Sequence, residues 1–370
     1  MTKCKIWFLC LLQILFLSGC MDGNDPENRE YIITLGVDVA EDGFAFSFVP
    51  AKTRTTDTTL LKANGTTLAE GIATLDQENP RKTELGQLKM LVFSQDVLTS
   101  DSGYMHLLAE LERSQDISGN VMLLATEDLA SDCLQAILES DGETGLFLWD
   151  FYENTAGDVA VTWGEDLDGF LIALEEQRDS AILPKIATTD GNLSLGGGLL
   201  LQNHEYVTTL DVDSALGYAF LREEADGAVL VTTIPQNTQE SIPVDTISTK
   251  TEEIPLSLRI MKNTTSYVMQ TIGDTLYCTI VIDATGNLLG SGTQESFTEE
   301  GRLQLEQAFA TRIKEEVTHT IEVAQDAGAV ESIGIGAAIR RKYPDFDLEQ
   351  DAWQLTLSVA VDVEDFGRIR

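Results

Sequence analysis

The thiol of Cys20 has the clearest chemical prospect in the chain. Leu17-Ser18-Gly19-Cys20 places two small residues directly before a cysteine, at the end of an apolar run from Ile6 to Leu17. This is the lipobox pattern, in which the sulfur receives a diacylglyceryl group and the cysteine becomes the mature N-terminus. Lys3 and Lys5 give the basic start of an export signal, and the run, broken only by Gln13, is shorter than the roughly 20 apolar residues a spanning helix needs. Asp22, Gly23, Asn24, Asp25 and Pro26 follow at once as a polar tether. Acyl chains contribute about 0.8 kcal/mol per buried CH₂, so two of them hold a protein on a bilayer without a spanning segment. The expectation is a body outside the cytoplasmic membrane, tied to its outer leaflet through lipid on Cys20. An ordinary cleaved signal with an incidental cysteine would instead release it.

Other reactive side chains form no recognisable constellation. His106, His204 and His319 lie far apart, with no His-x-x-x-His or Cys-x-x-Cys spacing, so zinc has no sequence support. No Gly-x-Ser-x-Gly elbow, Walker loop or kinase signature occurs, and Gly334-x-Gly336 lacks the third glycine of a dinucleotide site. Asp166/Asp168 and Asp211/Asp213 could attract Ca²⁺, but neither pair continues into an EF-hand loop. The expectation is therefore a protein without cofactor, metal or enzymatic activity. Once the signal leaves and Cys20 is acylated, Cys133 and Cys278 remain. Both stand in apolar contexts and are expected to be buried thiols in separate domains, although an oxidising compartment would let them pair. Arg340-Arg341-Lys342, followed by Tyr343, is the dense basic cluster. It reads either as a strand end neutralising Asp345 and Asp347, or as a contact point for a partner subunit or lipid headgroup.

The formal charge of −37 becomes about −39 when Lys3 and Lys5 depart, and so acidic a surface is repelled by nucleic acid and by anionic headgroups. No later stretch approaches spanning length, and the remaining chain is long enough for two or three domains.

The elements that would position these residues follow from periodicity. Tyr31 to Pro50 alternates on both sides of Glu41-Asp42-Gly43, with Ile33, Leu35 and Val37 on one arm and Phe44, Phe46 and Phe48 on the other, which predicts a β-hairpin. Leu68, Ile72 and Leu75 then Leu107, Leu108 and Leu111 then Leu129, Cys133, Leu134, Ile137 and Leu138 mark helices, with strands at Leu88 to Phe93 and Val121 to Ala125. Phe147 to Tyr152 and Phe170 to Leu174 add two further helices. Leu193 to Leu201, Glu205 to Leu210 and Ala228 to Ile234 read as extended, around a short helix at Ser214 to Arg222. Pro235 to Pro255 reads as a linker or exposed edge. Beyond it, Leu256 to Ile260 and Leu276 to Ile282 are strands, and Asp283-Ala284-Thr285-Gly286 is a turn. Ser296-Phe297-Thr298-Glu299 resembles a capping box opening a long helix, whose Leu305, Phe309, Ile313, Val317 and Ile321 would face a sheet. Ile333 to Ile339 and Leu355 to Val363 read as closing strands. The predicted fold class is α+β: three mixed α/β domains, each a mixed or antiparallel sheet with packed helices. The divisions are a signal at 1–19, a lipidated tether at 20–30, an N-terminal α/β domain at 31–190, a small strand-rich middle domain and linker at 191–250, and a C-terminal α/β domain with the long helix at 251–370.

Three stretches resemble the Ger(x)C family of spore germination proteins, the C-subunit lipoproteins of germinant receptors. The most specific is Ile333-Gly334-Ile335-Gly336-Ala337-Ala338-Ile339-Arg340-Arg341-Lys342-Tyr343-Pro344, followed by Trp353 and a final alternating strand. The lipobox with Arg29-Glu30 and Leu35-Gly36-Val37-Asp38, and the segment Gly197 to Leu221, are similar to the family's N-terminus and middle. The resemblance implies a non-enzymatic subunit on the extracytoplasmic face of the spore inner membrane, with integral-membrane A and B subunits as partners and a part in receptor assembly or signalling. A solute-binding lipoprotein of a transporter is the rival from another class, and a lipoprotein hydrolase has no motif in its favour.

Overall fold

The computed structural model describes residues 28–51, 59–99, 103–141, 148–150, 154, 164–176, 180–189, 192–235, 253–291, 299–348 and 350–365. The expected signal, Cys20, the tether to residue 27, most of the linker and residues 296–298 of the capping box lie outside them, as do Phe147, Phe151 and Tyr152 of the helix expected at Phe147 to Tyr152, whose residues 148–150 are helical.

Strands β1 (Arg29–Ala40) and β2 (Gly43–Pro50) form the expected hairpin, with Leu35 opposite Phe48 and Val37 opposite Phe46. All four are buried, and Phe44, Phe46 and Phe48 run as tilted ring pairs with centroids 5.9 and 6.2 Å apart. β3 (Leu61–Gly65) pairs with β2. Helix α1 (Leu68–Glu78) starts at Thr67, whose hydroxyl accepts the Glu70 N–H while the Glu70 carboxylate accepts the Thr66 N–H. Then come β4 (Lys82–Glu84), β5 (Met90–Ser94), α2 (Tyr104–Arg113), β6 (Met122–Thr126), α3 (Ala130–Asp141), α4 (Leu167–Glu176), β7 (Ala181–Thr189), β8 (Asn192–Gln202) and β9 (Glu205–Leu210). They build one nine-stranded sheet in the order β3-β2-β1-β5-β6-β7-β8-β9, with β4 beside β1. The β1, β5, β6 and β7 pairings are parallel, and the hairpins at either side are antiparallel.

Helix α5 (Val212–Leu221) leads to the second sheet, β10 (Val229–Pro235), β11 (Glu253–Ile272), β12 (Thr275–Ser291) and β13 (Ala352–Asp365), in that spatial order. Between β12 and β13, which run parallel, lie α6 (Glu299–Asp326) and α7 (Ile335–Arg340). Leu305, Phe309, Ile313, Val317 and Ile321 recur every fourth residue on α6 and are all buried, as their spacing predicts. Full burial of such a side chain is worth roughly 1.5–3 kcal/mol, so this stripe is what holds the long helix on the sheet. α5 packs backbone to backbone on α6 at Gly217, where a Cβ would lie 2.3 Å from the Glu316 carbonyl oxygen.

The sheet's other face is open. Outward residues include Val229 and Val231 on β10, Met261, Val268 and Ile272 on β11, and Tyr277 and Leu289 on β12, all exposed. Alternate residues Thr264, Ser266 and Gln270 lie among them on β11, Thr275, Thr279 and Val281 on β12, and Gln354, Thr356, Ser358 and Ala360 on β13.

Three readings change. Segment 191–250 makes no sheet of its own: β8 and β9 extend the first sheet, because β8 turns straight back on β7, while α5 and β10 pack into the second core. The sheets are therefore two, within an α+β architecture. Asp283 to Gly286 is no turn but the interior of β12, because these residues pair with Thr264 to Ile260 on one side and Ala360 to Val363 on the other. The real turn is at Gly273-Asp274, with Gly273 at φ +62°. Ile333 to Ile339 is not a strand, since Ile335 to Arg340 are helical, with Ile335 and Ile339 one turn apart and both buried.

Candidate functional site

The basic cluster sits where the two sheets meet. α6 ends at Asp326, Gly328 takes φ +69°, and the Ala329 N–H returns to the Ala324 carbonyl at 2.7 Å. The chain then places Glu331 and Ser332 against the first sheet, with the Ser332 hydroxyl donating to the Leu201 carbonyl at 2.5 Å. Gly334, at φ +81°, opens α7. Gly336 has to be glycine, because a Cβ there would lie 1.9 Å from the Glu331 carboxylate.

Arg340 leaves the last turn of α7 and donates to Glu331 at 2.5 Å and to the Glu176 carbonyl, at the end of α4, at 3.3 Å. It thereby ties α7 to the other half of the molecule. Arg341 is 77 % exposed and lies 3.8 Å from Glu176, a contact worth little in water. Lys342 donates to the Met269 carbonyl at 2.9 Å and lies 5.6 Å from the Tyr343 ring centre, and Tyr343 accepts a 3.5 Å hydrogen bond from Thr271. Arg340, Arg341 and Lys342 thus turn to Glu331, Glu176 and the Met269 carbonyl rather than to Asp345 and Asp347. Beside them Gln202, Asn203, Gly328, Val330, Glu331, Asp347, Leu348 and Trp353 line a cavity of about 290 Å³.

A second polar contact joins the halves. Arg222, at the end of α5, donates to Glu165 at 3.2 Å and to Tyr218 at 3.2 Å. Burial pushes the Glu165 carboxyl up to about 7, with Arg222 pulling it back, and burial likewise raises the Tyr218 hydroxyl to about 12.

The remaining candidates are scattered or structural. His106 is on α2, His204 in the β8–β9 turn and His319 on α6. Asp166 accepts the Gly169 N–H at the start of α4, and Asp211 caps α5 through Ser214, so members of both acidic pairs serve helix N-termini. Asp96, Glu127, Asp128 and Asp132 line an acidic hollow of about 340 Å³, and Glu127 there pairs with Lys185. Among the described residues no group of three potential ligands is placed to hold a metal ion. Cys133 and Cys278 are free and buried, in different cores, and burial raises their thiols to about 12 and about 11. Neither is a thiolate nucleophile at neutral pH.

Glu331, Glu165 and Arg222 escaped the sequence reading, since partners 9 and 57 positions apart leave no local signal. The open face of the second sheet did leave one: 263–273, 275–282 and 352–361 contain no charged residue.

Two outcomes follow for the junction. Arg340→Met strands a buried carboxylate and should lower unfolding stability by about 3–5 kcal/mol in urea titrations, whereas Arg341→Met should stay within about 0.5 kcal/mol. Equal effects would contradict the assigned roles. Glu165 has a folded pKa above its ordinary value, so the native state holds its proton more tightly; the contribution is greatest below about pH 4.5 and is lost as pH rises to about 7. The stability of Glu165→Gln relative to wild type should therefore rise between pH 5 and 8, by roughly 2–3 kcal/mol; a pH-independent difference would contradict the assignment.

Comparison with known proteins bears on both halves. The family model described as spore germination protein N-terminal domain matches residues 22–188, and the model described as spore germination B3/ GerAC like, C-terminal, matches 196–365. The spore germination protein GerQC of Bacillus cereus is 20% identical over 253 residues, covering 67% of this chain and 69% of that one. The crystal structure of the GerBC protein superposes with a TM-score of 0.54 at 12% identity, covering 89% of this chain and 96% of that one, which shows a shared fold. With matched segments at 22–188 and 196–365, the chain belongs to the Ger(x)C family of spore germination proteins.

Proposed function

We propose that this chain is the lipid-anchored, non-enzymatic C subunit of a spore germinant receptor, held on the extracytoplasmic face of the spore inner membrane. There it would take part in receptor assembly or signalling with integral-membrane A and B subunits. The observation that carries the reading is the family match, which starts at residue 22, two positions after the lipobox cysteine, and runs to 365 with a short gap. The first strand begins at Arg29, so nine residues of tether, at 3.3–3.6 Å each, hold the N-terminal sheet within about 30 Å of the anchor. No helix among the described residues is long and apolar enough to cross a membrane.

A role through contact rather than catalysis fits the side chains. Asp38, buried, accepts two backbone N–H groups of α3, Glu331 pairs with Arg340, and Glu165 pairs with Arg222, so each holds a joint in the fold. The two unlike sheets, nine strands against four, also differ from the paired similar lobes of a solute-binding clamp.

Fractionation of cells fed an alkyne fatty acid tests the anchor. The wild-type chain should be labelled and sediment with membranes, and Cys20→Ala should lose the label and appear in the soluble fraction. Recovery of Cys20→Ala in the pellet at the wild-type level would overturn the reading.

A further inference from the structure

On the open face of the second sheet, every second residue from Thr264 to Ile272, from Thr275 to Val281 and from Gln354 to Ala360 points away from α6. None of these thirteen positions is Asp, Glu, Lys or Arg. The chain is 23% charged, so about three charges would be expected here, and more on a surface whose purpose is solvation. The face is accessible, with Val268 59% and Ile272 56% exposed. It also gathers apolar area: among the described residues Val268, Ile272 and Tyr277 are exposed within it, and Val229, Val231, Met261 and Leu289 are exposed elsewhere on the same sheet. Among the described residues, this block of the sheet is thus free of charge up to Asp283 in its end row.

The border of that surface is charged. Asp274 stands at the hairpin tip, Asp283 closes the end row between Thr264 and Ala360, Asp351 precedes β13 and Asp362 lies two residues past Ala360, where Arg302 of α6 already pairs with it, while Lys262 beside the β11 bulge is a cation at the same border. The neutral rows, three strands of about 4.8 Å spacing by roughly seven to nine residues of about 3.3 Å, cover roughly 360 Å². That is about half of what one partner contributes to a standard protein interface, the rest of which is polar rim.

We propose that this face, centred on Val268, Thr279 and Thr356, docks a partner protein whose contact surface is uncharged in the middle and bordered by Lys and Arg. Charge complementarity selects that occupant over a second copy. Two copies would bring acidic borders and two chains of formal charge −37 within a Debye length of each other, whereas a basic border meets the Asp residues favourably and steers encounter. The proposal rests on the subunit reading above and names the surface that reading leaves open.

The test uses the full-length chain in its own cells, carrying a photo-cross-linking phenylalanine analogue at Val268, at Tyr277, or, as a control, at Ile172 on α4. Mass spectrometry identifies the adducts. Support is an adduct from Val268 and Tyr277, but not Ile172, to another protein, at a peptide flanked by Lys or Arg. A second pair, Thr279→Glu and Thr279→Val, separates docking from folding: Glu should cut the Val268 adduct at least tenfold at unchanged melting temperature, and Val should leave it intact. Adducts only to a second copy or to lipid, no adduct, or equal yields for the two Thr279 variants would overturn the proposal. Failure is distinguishable from failure of the subunit reading. Co-purification with membrane subunits without an adduct from this face removes the docking surface alone. A protein adduct from a Cys20→Ala chain that stays in the pellet removes the anchor alone.

Discussion

Excess negative charge is the constraint under which this fold is built. With 61 acidic residues against 24 basic ones, the chain can bury a carboxylate only where a specific partner meets it. Four are buried among the described residues: Asp38, Glu165, Glu316 and Glu331. Asp38 accepts the Ala130 and Ser131 N–H groups at the N-terminus of α3, where the helix dipole favours an anion. Glu316 pairs with Arg312 one turn away on α6. The other two take Arg222 and Arg340: the Glu165–Arg222 pair joins segments 57 residues apart in different halves, while Arg340 pairs with Glu331 nine residues before it and reaches the other half through the Glu176 carbonyl. A scarce resource of cations is therefore concentrated where the two halves join.

The same constraint gives meaning to the charge-poor face of the second sheet. Carboxylates crowd other faces, as in the hollow lined by Asp96, Glu127, Asp128 and Asp132, and they keep an acidic chain soluble and apart from its copies. A neutral sheet face forgoes that protection, which is sustainable where another protein covers it. Contacts at the junction tie that face to the first sheet. The Arg340 bridge to the end of α4 and the Ser332 bond to Leu201 provide that continuity.

Local periodicity made much of this legible. The hairpin from Tyr31 to Pro50 and the α6 stripe from Leu305 to Ile321 could be read because one face of each is buried throughout. Short apolar runs were less informative. Ile333 to Ile339 satisfies both a strand and a helix, and the choice is made by a contact outside it, the carboxylate of Glu331 lying where a side chain at position 336 would have to be. Asp283 to Gly286 carries turn residues, yet ladders on both flanks override them. The boundary expected near residue 190 falls between the two family-model segments, yet β8 and β9 beyond it extend the first sheet, because membership of a sheet is a non-local property. Of the site, the basic cluster was visible but its partners were not, and the neutral face was written in three charge-free stretches whose shared orientation only the strand register reveals.

The most direct measurement is the chemical accessibility of that face in native membranes. Single Val268→Cys and Ile172→Cys chains can be labelled with a membrane-impermeant maleimide, because Cys133 and Cys278 are buried with raised thiol pKa values and stay silent. Val268→Cys should be protected in membranes and become reactive after solubilisation in high salt, while Ile172→Cys reacts in both states. Equal labelling of the two positions in intact membranes would contradict the view that this acidic, lipid-tethered chain works through a covered, charge-free face.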